Sequence, residues 1–119
     1  MPHEATSMSQ EMQACIHACL DCYSSCMETV HHCLMLGNKH AEHSHIATLL
    51  ACAEICRTSA HVMLVGSQLH TETCRACAEI CRACEADCRS MAGDDETMRR
   101  CADECRRCAE SCDRMARAG

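Results

Sequence analysis

The chain combines 119 residues and a formal net charge of −6 with very little ordinary apolar bulk. Leucine, isoleucine and valine together number 14, there is one tyrosine and no phenylalanine or tryptophan, whereas 16 residues are cysteine and nine are methionine. The length suits one domain, and the acidic, aromatic-poor composition argues against a nucleic-acid-binding surface.

The N-terminal segment and the hydropathy of the chain predict a cytoplasmic protein. Residues 1–12 have no basic segment followed by an apolar core, so we expect no signal peptide. The longest apolar stretch, residues 46–53, is far shorter than the roughly 20 residues that span a bilayer, so we expect no membrane anchor. Because the cytoplasm keeps thiols reduced, the cysteines are interpreted as free thiols and not as a disulfide framework.

A first helix is predicted over about residues 9–36. It is expected to end at Gly37 and Asn38, which favour the left-handed conformation that follows a helix. Its cysteines recur in steps typical of one helix face: Cys15, Cys19, Cys22, Cys26 and Cys33.

A link that contains several histidines precedes a second helix, predicted over about residues 44–68, with Cys52 and Cys56 on one face. The cluster of His40, His43 and His45 is interpreted either as a weak surface metal site or as a polar link. Four other histidines lie off the cysteine faces and are predicted to be on the surface: His17, His31, His32 and His61.

A third helix is predicted over about residues 72–92 with Thr71 as its N-cap, and a fourth over about residues 95–117 with Asp94 or Asp95 as its N-cap. The cysteines of the third helix are Cys74, Cys77, Cys81, Cys84 and Cys88. Those of the fourth are Cys101, Cys105, Cys108 and Cys112.

One cysteine pattern recurs along the chain. Residues 15–26, 77–88 and 101–112 all follow C-x-x-x-C-x-x-C-x-x-x-C. Residues 52–63 begin in the same way, but Ser59 and Met63 stand where the other copies have cysteine. The repeated unit is an amphipathic helix that carries soft metal ligands.

Short links between the predicted helices favour antiparallel neighbours. We therefore predict an all-α fold, an antiparallel up-down-up-down four-helix bundle with a cysteine-lined core, as a single domain over residues 1–119. One end of the bundle would collect Met8, Met12, Met63, His70 and Met115. The other would collect Met91, Met98, Cys33 and the histidine-rich link.

The outer faces of the two halves differ in character. Residues 71–119 hold 11 acidic and nine basic residues and predict ion pairs such as Glu85–Arg89 and Glu110–Arg114, whereas residues 1–70 hold only six and two. Helices 1 and 2 carry additional apolar residues beside their cysteines: Ile16, Leu20, Tyr23, Met27, Val30, Leu34, Ile46, Leu50, Ile55, Val62 and Leu64. This surplus predicts a homo-oligomer that associates through helices 1 and 2.

A buried cluster of thiolates needs a cation, and charge selects which one. Zinc in a four-thiolate site leaves excess negative charge, whereas Cu(I) with one thiolate per ion leaves none and prefers soft ligands. The cysteines therefore predict many Cu(I) ions, about one per cysteine, with a zinc or other soft-metal buffer as the alternative. Pairs four residues apart are expected to converge on one metal from a single helix: 15/19, 22/26, 52/56, 77/81, 84/88, 101/105 and 108/112.

The four cysteine-striped helices resemble the bacterial copper storage proteins, in particular the cytosolic branch without an export signal. The resemblance implies a four-helix bundle that forms a tetramer and holds many Cu(I) ions on thiolates of the 16 cysteines. The expected mechanism is storage or sequestration of Cu(I) delivered by copper donors. Helix 2 departs from the full repeat, because Ser59 and Met63 do not bridge metals as thiolates do, so a lower copper capacity is expected near this helix. At the bundle end, Met12, Met63, His70 and Met115 are further candidate ligands.

Other classes of function fit the sequence less well. A thiol–disulfide oxidoreductase would use a CxxC motif, and four occur, at residues 19–22, 74–77, 81–84 and 105–108. Such motifs normally sit at a helix N-terminus, and only the one at 74–77 is near a predicted helix start. An iron–sulfur carrier and a purely structural oligomer remain as alternatives. No catalytic triad, phosphate-binding loop or carboxylate pair stands out, so we expect no enzyme activity.

Overall fold

A computed structural model describes residues 9–118, and these residues form four long helices. They are α1 (Gln10–Leu36), α2 (His43–Leu64), α3 (His70–Ala92) and α4 (Glu96–Ala118), with a short 3-10 turn, Asn38–Ala41, between α1 and α2. Each helix packs against the next, and α4 packs back against α1, giving a rod of 56 × 20 × 19 Å. The predicted all-α, up-down-up-down four-helix bundle is thus confirmed.

Local signals set the ends of α1 and the start of α4 as expected. The Ser9 side chain accepts a hydrogen bond from the Met12 amide at 3.0 Å, which caps α1. Gly37 and Asn38 both have positive φ, 76° and 54°, and the Gly37 amide donates to the Cys33 carbonyl. At α4, Asp95 is the N-cap, because its carboxylate accepts from the Met98 amide at 3.1 Å.

The turn between α2 and α3 differs from the prediction. Helix α2 ends at Leu64, not near residue 68, because Gly66 adopts φ 77° and the Ser67 amide donates to the Val62 carbonyl. Helix α3 then begins at His70, so Thr71 lies inside the helix and is not its N-cap. Met8 and Pro2 lie outside the described residues.

The interior of the bundle is made of sulfur and small side chains. All 16 cysteines have zero exposed surface, and Met63 and Met98 are equally buried. Alanines flank the cysteines on the helix–helix contacts, where small side chains allow the backbones to approach: Ala18, Ala53, Ala60, Ala78, Ala102 and Ala109. The core is therefore a column of thiols enclosed by four helices.

The outer surface follows the division seen in the sequence. Ion pairs cover α3 and α4, including the predicted Arg89–Glu85 pair at 2.9 Å. Glu110 pairs with Arg106 and not with Arg114, whose partner is Glu11 on α1. Helices α1 and α2 instead expose apolar side chains: Leu20, Met27, Leu34, Met35, Leu36, Leu50 and Leu64. None of the helices within residues 9–118 has the length and hydropathy needed to cross a membrane.

Candidate metal centre

The cysteine sulfurs lie close to one another along the axis of the bundle. All 16 cysteines are free. The Sγ atoms of Cys19 and Cys112, and those of Cys19 and Cys108, are 3.6 Å apart, which joins α1 to α4. The Sγ atoms of Cys56 and Cys81 are also 3.6 Å apart and join α2 to α3. Helices that face each other across the bundle meet as well, since the Sγ atoms of Cys56 and Cys108 are 3.8 Å apart.

Five groups of cysteines have all their sulfurs within 4.8 Å of one another. Every member is buried, and each group draws on at least three helices. From the end that contains the start of α1, they are Cys15–Cys74–Cys112; Cys19–Cys77–Cys108–Cys112; Cys56–Cys77–Cys81–Cys108; Cys22–Cys52–Cys56–Cys81; and Cys22–Cys26–Cys52–Cys105. Neighbouring groups share one or two cysteines, so a thiolate can bridge two metals.

The predicted pairing of ligands within one helix is only partly realised. The pairs 22/26, 52/56, 77/81 and 108/112 each fall together in a group, whereas 15/19, 84/88 and 101/105 do not. Even in the groups that contain such pairs, the other ligands come from neighbouring helices. The inward faces of four helices converge on one axis. The binding unit is therefore a level of the bundle, which is the set of inward residues that different helices place at one height along the axis, and not a turn of one helix.

The spacing of the sulfurs suits metal coordination with little movement. A metal–sulfur bond of about 2.3 Å places three sulfurs around one metal about 4.0 Å apart, and two sulfurs in line about 4.6 Å apart. The shortest Sγ–Sγ contacts between helices are 3.6–4.0 Å, and each group lies within 4.8 Å. Two- or three-coordinate ions therefore fit between sulfurs that the fold has already brought together.

The predicted methionine end is formed in part. Met63 is fully buried with its Sδ 4.0 Å from the Cys74 sulfur, Met115 is also buried, and Met12 packs partly exposed against the core. His70 is half-buried, and its Nδ1 donates to the Ser67 carbonyl at 2.9 Å. Ser59 faces the core at the same end, where its hydroxyl donates to the Cys74 sulfur at 3.6 Å.

The opposite end holds a buried histidine that the sequence placed in a polar link. His45 is 2% exposed, with its Nε2 3.3 Å from the Cys33 sulfur and its Nδ1 2.5 Å from a carboxylate oxygen of Asp87. A carboxylate that holds one ring nitrogen orients the other toward a metal site. The sequence did contain a signal for the burial of His45, because this residue lies seven positions before Cys52 and thus on the cysteine face of α2. His45 is thus buried and held by Asp87, so it does not join the exposed His43 in a surface site.

At this end of the bundle, the surroundings of two cysteine thiols raise their pKa values. Burial, with Asp95, Cys101 and Asp87 nearby, raises the pKa of the Cys33 thiol to about 11. Hydrogen bonding with Cys101 and Cys84, together with burial, raises the pKa of Cys88.

His32, predicted to be on the surface, is half-buried with its Nε2 2.7 Å from Asp95. Burial of Asp95 opposes ionisation, but His32 and the Met98 amide outweigh it and lower the pKa of Asp95.

The burial of the CxxC motifs bears on the oxidoreductase alternative. Cys74 and Cys77 near the start of α3 have no exposed surface, and the same holds for the three motifs that lie deeper in the helices. A redox-active thiol attacks a disulfide on another molecule and therefore needs an accessible sulfur. The geometry favours metal binding over thiol–disulfide exchange.

Known proteins share this arrangement along almost the whole chain. The copper storage protein family (Csp) matches residues 8–117. The crystal structure of the Nmul_A1745 protein from Nitrosospira multiformis is 43% identical, with a TM-score of 0.88 over 94% of this chain and all of that one. The Cu(I)-bound copper storage protein BsCsp3 is 36% identical, with a TM-score of 0.83 over 90% of this chain and 99% of that one.

A third similar structure belongs to a protein that has been solved with different amounts of copper. The cytosolic copper storage protein of Streptomyces lividans, captured with five coppers, is 30% identical, with a TM-score of 0.77 over 92% of this chain and 94% of that one. The family match covers far more than half of the sequence and includes all 16 cysteines. Because the family match spans nearly the whole of this cysteine-lined bundle, the chain belongs to the copper storage protein family.

Proposed function

We propose that this protein stores Cu(I) in the cytoplasm, with many ions per chain, about one per cysteine, held by thiolates of the bundle core. One observation carries the proposal: the five buried groups of sulfurs overlap, so ligands are available continuously along the axis and not at isolated sites. Catalytic and sensing sites need only one or two metals, whereas a continuous series suits storage.

The polarity of the core favours Cu(I) over Zn(II). Within residues 9–118, the buried polar side chains are Thr29, His45, Ser59 and Ser111, which include no lysine and no arginine. Excess thiolate charge around divalent zinc would therefore lack a buried cation to balance it, and such a charge is costly in a low-dielectric interior. One Cu(I) for each thiolate leaves the core neutral.

The thiols supply the chemistry of loading. Each sulfur that binds Cu(I) releases its proton, and the ion moves from its donor to the protein by exchange of one ligand at a time. The Cu(I)-bound BsCsp3 structure and the copper-loaded Streptomyces lividans protein show this type of cargo in relatives. We infer storage without catalysis, in a cytosol where small-molecule or protein donors deliver copper and acceptors remove it.

We infer further that copper is admitted at the methionine end. Met12, Met63 and Met115 present thioethers, which bind Cu(I) without losing a proton, beside the first group of cysteines. A Met12→Ala/Met115→Ala variant should load more slowly from a chelated donor than a Met91→Ala/Met98→Ala variant, which changes the opposite end. Equal loading rates in stopped-flow absorbance would contradict this assignment.

Self-association through α1 and α2 completes the proposal. These helices expose leucine and methionine side chains, whereas α3 and α4 are covered by ion pairs. We infer a homotetramer built on the apolar face of α1 and α2, which leaves the charged helices toward solvent.

Anaerobic titration of the fully reduced protein with Cu(I) and with Zn(II), in competition with chelators, tests the stored ion. We expect more than about ten Cu(I) per chain and far fewer Zn(II), because only the univalent ion balances the thiolate charge. Protein with all thiols alkylated serves as the control and should bind neither. Uptake of no more than two Cu(I), or preferential filling by Zn(II), would overturn the proposal.

A further inference from the structure

The cysteines divide into two sets according to whether their sulfurs belong to a group of three or more that all lie within 4.8 Å of one another. Twelve of them form the five overlapping groups, and we call these the clustered segment: Cys15, Cys19, Cys22, Cys26, Cys52, Cys56, Cys74, Cys77, Cys81, Cys105, Cys108 and Cys112. The other four belong to no group, and we call them the outlying cysteines: Cys33, Cys84, Cys88 and Cys101. All four lie toward the end that holds His45.

The register of α2 against α3 explains where the clustered segment stops. The sulfurs of Cys52 and Cys81, and those of Cys56 and Cys77, are each 3.7 Å apart, which fixes an antiparallel register. One turn further along, the same register places Leu49 at the level of Cys84. The contact of His45 with Asp87 continues this register another turn. Leu49 is completely buried, so a branched alkyl group fills the position at which α2 would supply a sulfur.

Helix α1 has a similar interruption. Cys26 contacts Cys101 on α4 with 3.9 Å between their sulfurs, at the level of Leu49. One turn beyond Cys26, the completely buried residue is Thr29, whose hydroxyl donates to the Ser25 carbonyl at 2.7 Å and not to a sulfur. At this end, therefore, α2 places the alkyl side chain of Leu49, and α1 the already hydrogen-bonded hydroxyl of Thr29, at positions where the clustered segment has thiols.

From this division we infer that copper fills the clustered segment first and the outlying cysteines last, with Leu49 as the residue that sets the boundary. The inference rests on the proposed storage function and specifies its order of loading. In the clustered segment, three or four sulfurs already lie within coordination distance of a single ion. The outlying cysteines belong to no such set, although the Cys101 sulfur lies 3.9 Å from that of Cys26. An ion there meets fewer sulfurs at once unless side chains move, and that reorganisation weakens binding.

Crystals of protein loaded with five Cu(I) per chain, one for each group, locate the first ions through anomalous scattering at the copper edge. We expect peaks among the sulfurs of the clustered segment and none beside Cys84, Cys88 or Cys33. First peaks at those cysteines, or copper spread evenly over both sets, would overturn the order of loading.

A gain of sulfur at the boundary gives a second test that does not depend on crystals. Leu49→Cys places a fourth thiol at the level of Cys26, Cys84 and Cys101 and should extend the clustered segment by one level. Ala51→Cys is the matched control, because Ala51 lies two residues further on in α2, is exposed and is not one of the apolar side chains of the proposed interface. Under competition with a Cu(I) chelator, Leu49→Cys should hold at least one more tightly bound Cu(I) per chain than Ala51→Cys.

The two tests separate the failure of this inference from failure of storage itself. If wild-type protein binds many Cu(I) but Leu49→Cys and Ala51→Cys hold the same number tightly, Leu49 does not set the boundary. If wild-type protein binds only one or two Cu(I), the proposed function fails, and the order of loading fails with it. Circular dichroism of both variants shows whether the bundle is retained, and the anomalous peaks of the wild-type protein decide the order even if Leu49→Cys does not fold.

Discussion

His45 and Cys33 show how single residues close one end of the sulfur core. The imidazole spans from the Cys33 sulfur to the Asp87 carboxylate, and both of its nitrogens have partners although the side chain is almost wholly buried. A buried polar group is stabilising only while its hydrogen bonds are made. The stability of this end therefore depends on both contacts of His45.

Replacing His45 by alanine should destabilise the apoprotein by about 1–3 kcal/mol, because Cys33 and Asp87 each lose a hydrogen-bond partner. The free energy of unfolding, measured by urea denaturation under reducing conditions, reports the change. His43→Ala is the control, because His43 lies two residues away and is exposed. Equal stability of the two variants would show that the buried contacts of His45 contribute nothing.

The Cys33 thiol predicts how the stability of the apoprotein depends on pH. Its pKa is raised from 9.0 to about 11, so between these values the folded state holds a proton that the unfolded state has lost. The stabilising contribution is complete below pH 9 and is lost as the pH rises through 11. Anaerobic thermal unfolding should show a smaller decrease in melting temperature over this range for Cys33→Ala than for wild type, and equal decreases would contradict the assignment.

Among the elements, α2 contributes the least sulfur to the core. It supplies only Cys52 and Cys56, and its other inward positions are occupied by His45, Leu49, Ser59 and Met63. The other three helices each carry at least four cysteines. We therefore expect the copper capacity of the bundle to be limited by the inward residues of α2 that are not cysteine.

Ser59→Cys should restore the full repeat in α2 and raise the number of Cu(I) ions bound per chain by about one. The Ser59 hydroxyl already lies 3.6 Å from the Cys74 sulfur, so a thiol there would join the Cys15–Cys74–Cys112 group. Thr58→Cys, at the adjacent position on the outer side of α2, is the matched control. Copper counted after chelator competition and gel filtration should rise only in Ser59→Cys, and the same count in both variants would show that position 59 does not reach the metal.

The sequence predicted the helices and the inward position of the cysteines, because both depend on local spacing. Steps of three and four residues place every cysteine on a helix face, and Gly37 and Asp95 mark helix boundaries through local backbone chemistry. The end of α2 was missed because Gly66 is followed by residues that are also compatible with a helix. The grouping of sulfurs and the contacts of His45 depend on the register between helices, which spacing within one helix does not determine.

At the scale of the whole molecule, charge and apolar surface lie on different sides of the rod. Arginine–carboxylate pairs cover α3 and α4, whereas leucine and methionine side chains emerge from α1 and α2. Exposed apolar surface of this kind on a helical bundle is typical of an interface. The distribution predicts assembly through one side only.

Leu34→Glu combined with Leu50→Glu should give a monomer of 13.1 kDa in place of the proposed tetramer, because it places two charges in the apolar surface. Light scattering at micromolar concentration measures the mass. A variant with Ala83→Glu and Ala86→Glu adds the same charge to exposed positions of α3 and should keep the wild-type mass. A wild-type protein that is itself a monomer would exclude the interface.

The sharing of cysteines between adjacent groups affects how cargo travels through the rod. Cys112, then Cys77 and Cys108, then Cys56 and Cys81, then Cys22 and Cys52 each belong to two successive groups. Because each shared thiolate belongs to both groups, we expect a stored ion to move between groups by forming one new Cu–S bond before an old one breaks. We therefore expect ions withdrawn at one end of the rod to be replaced by ions held further along it.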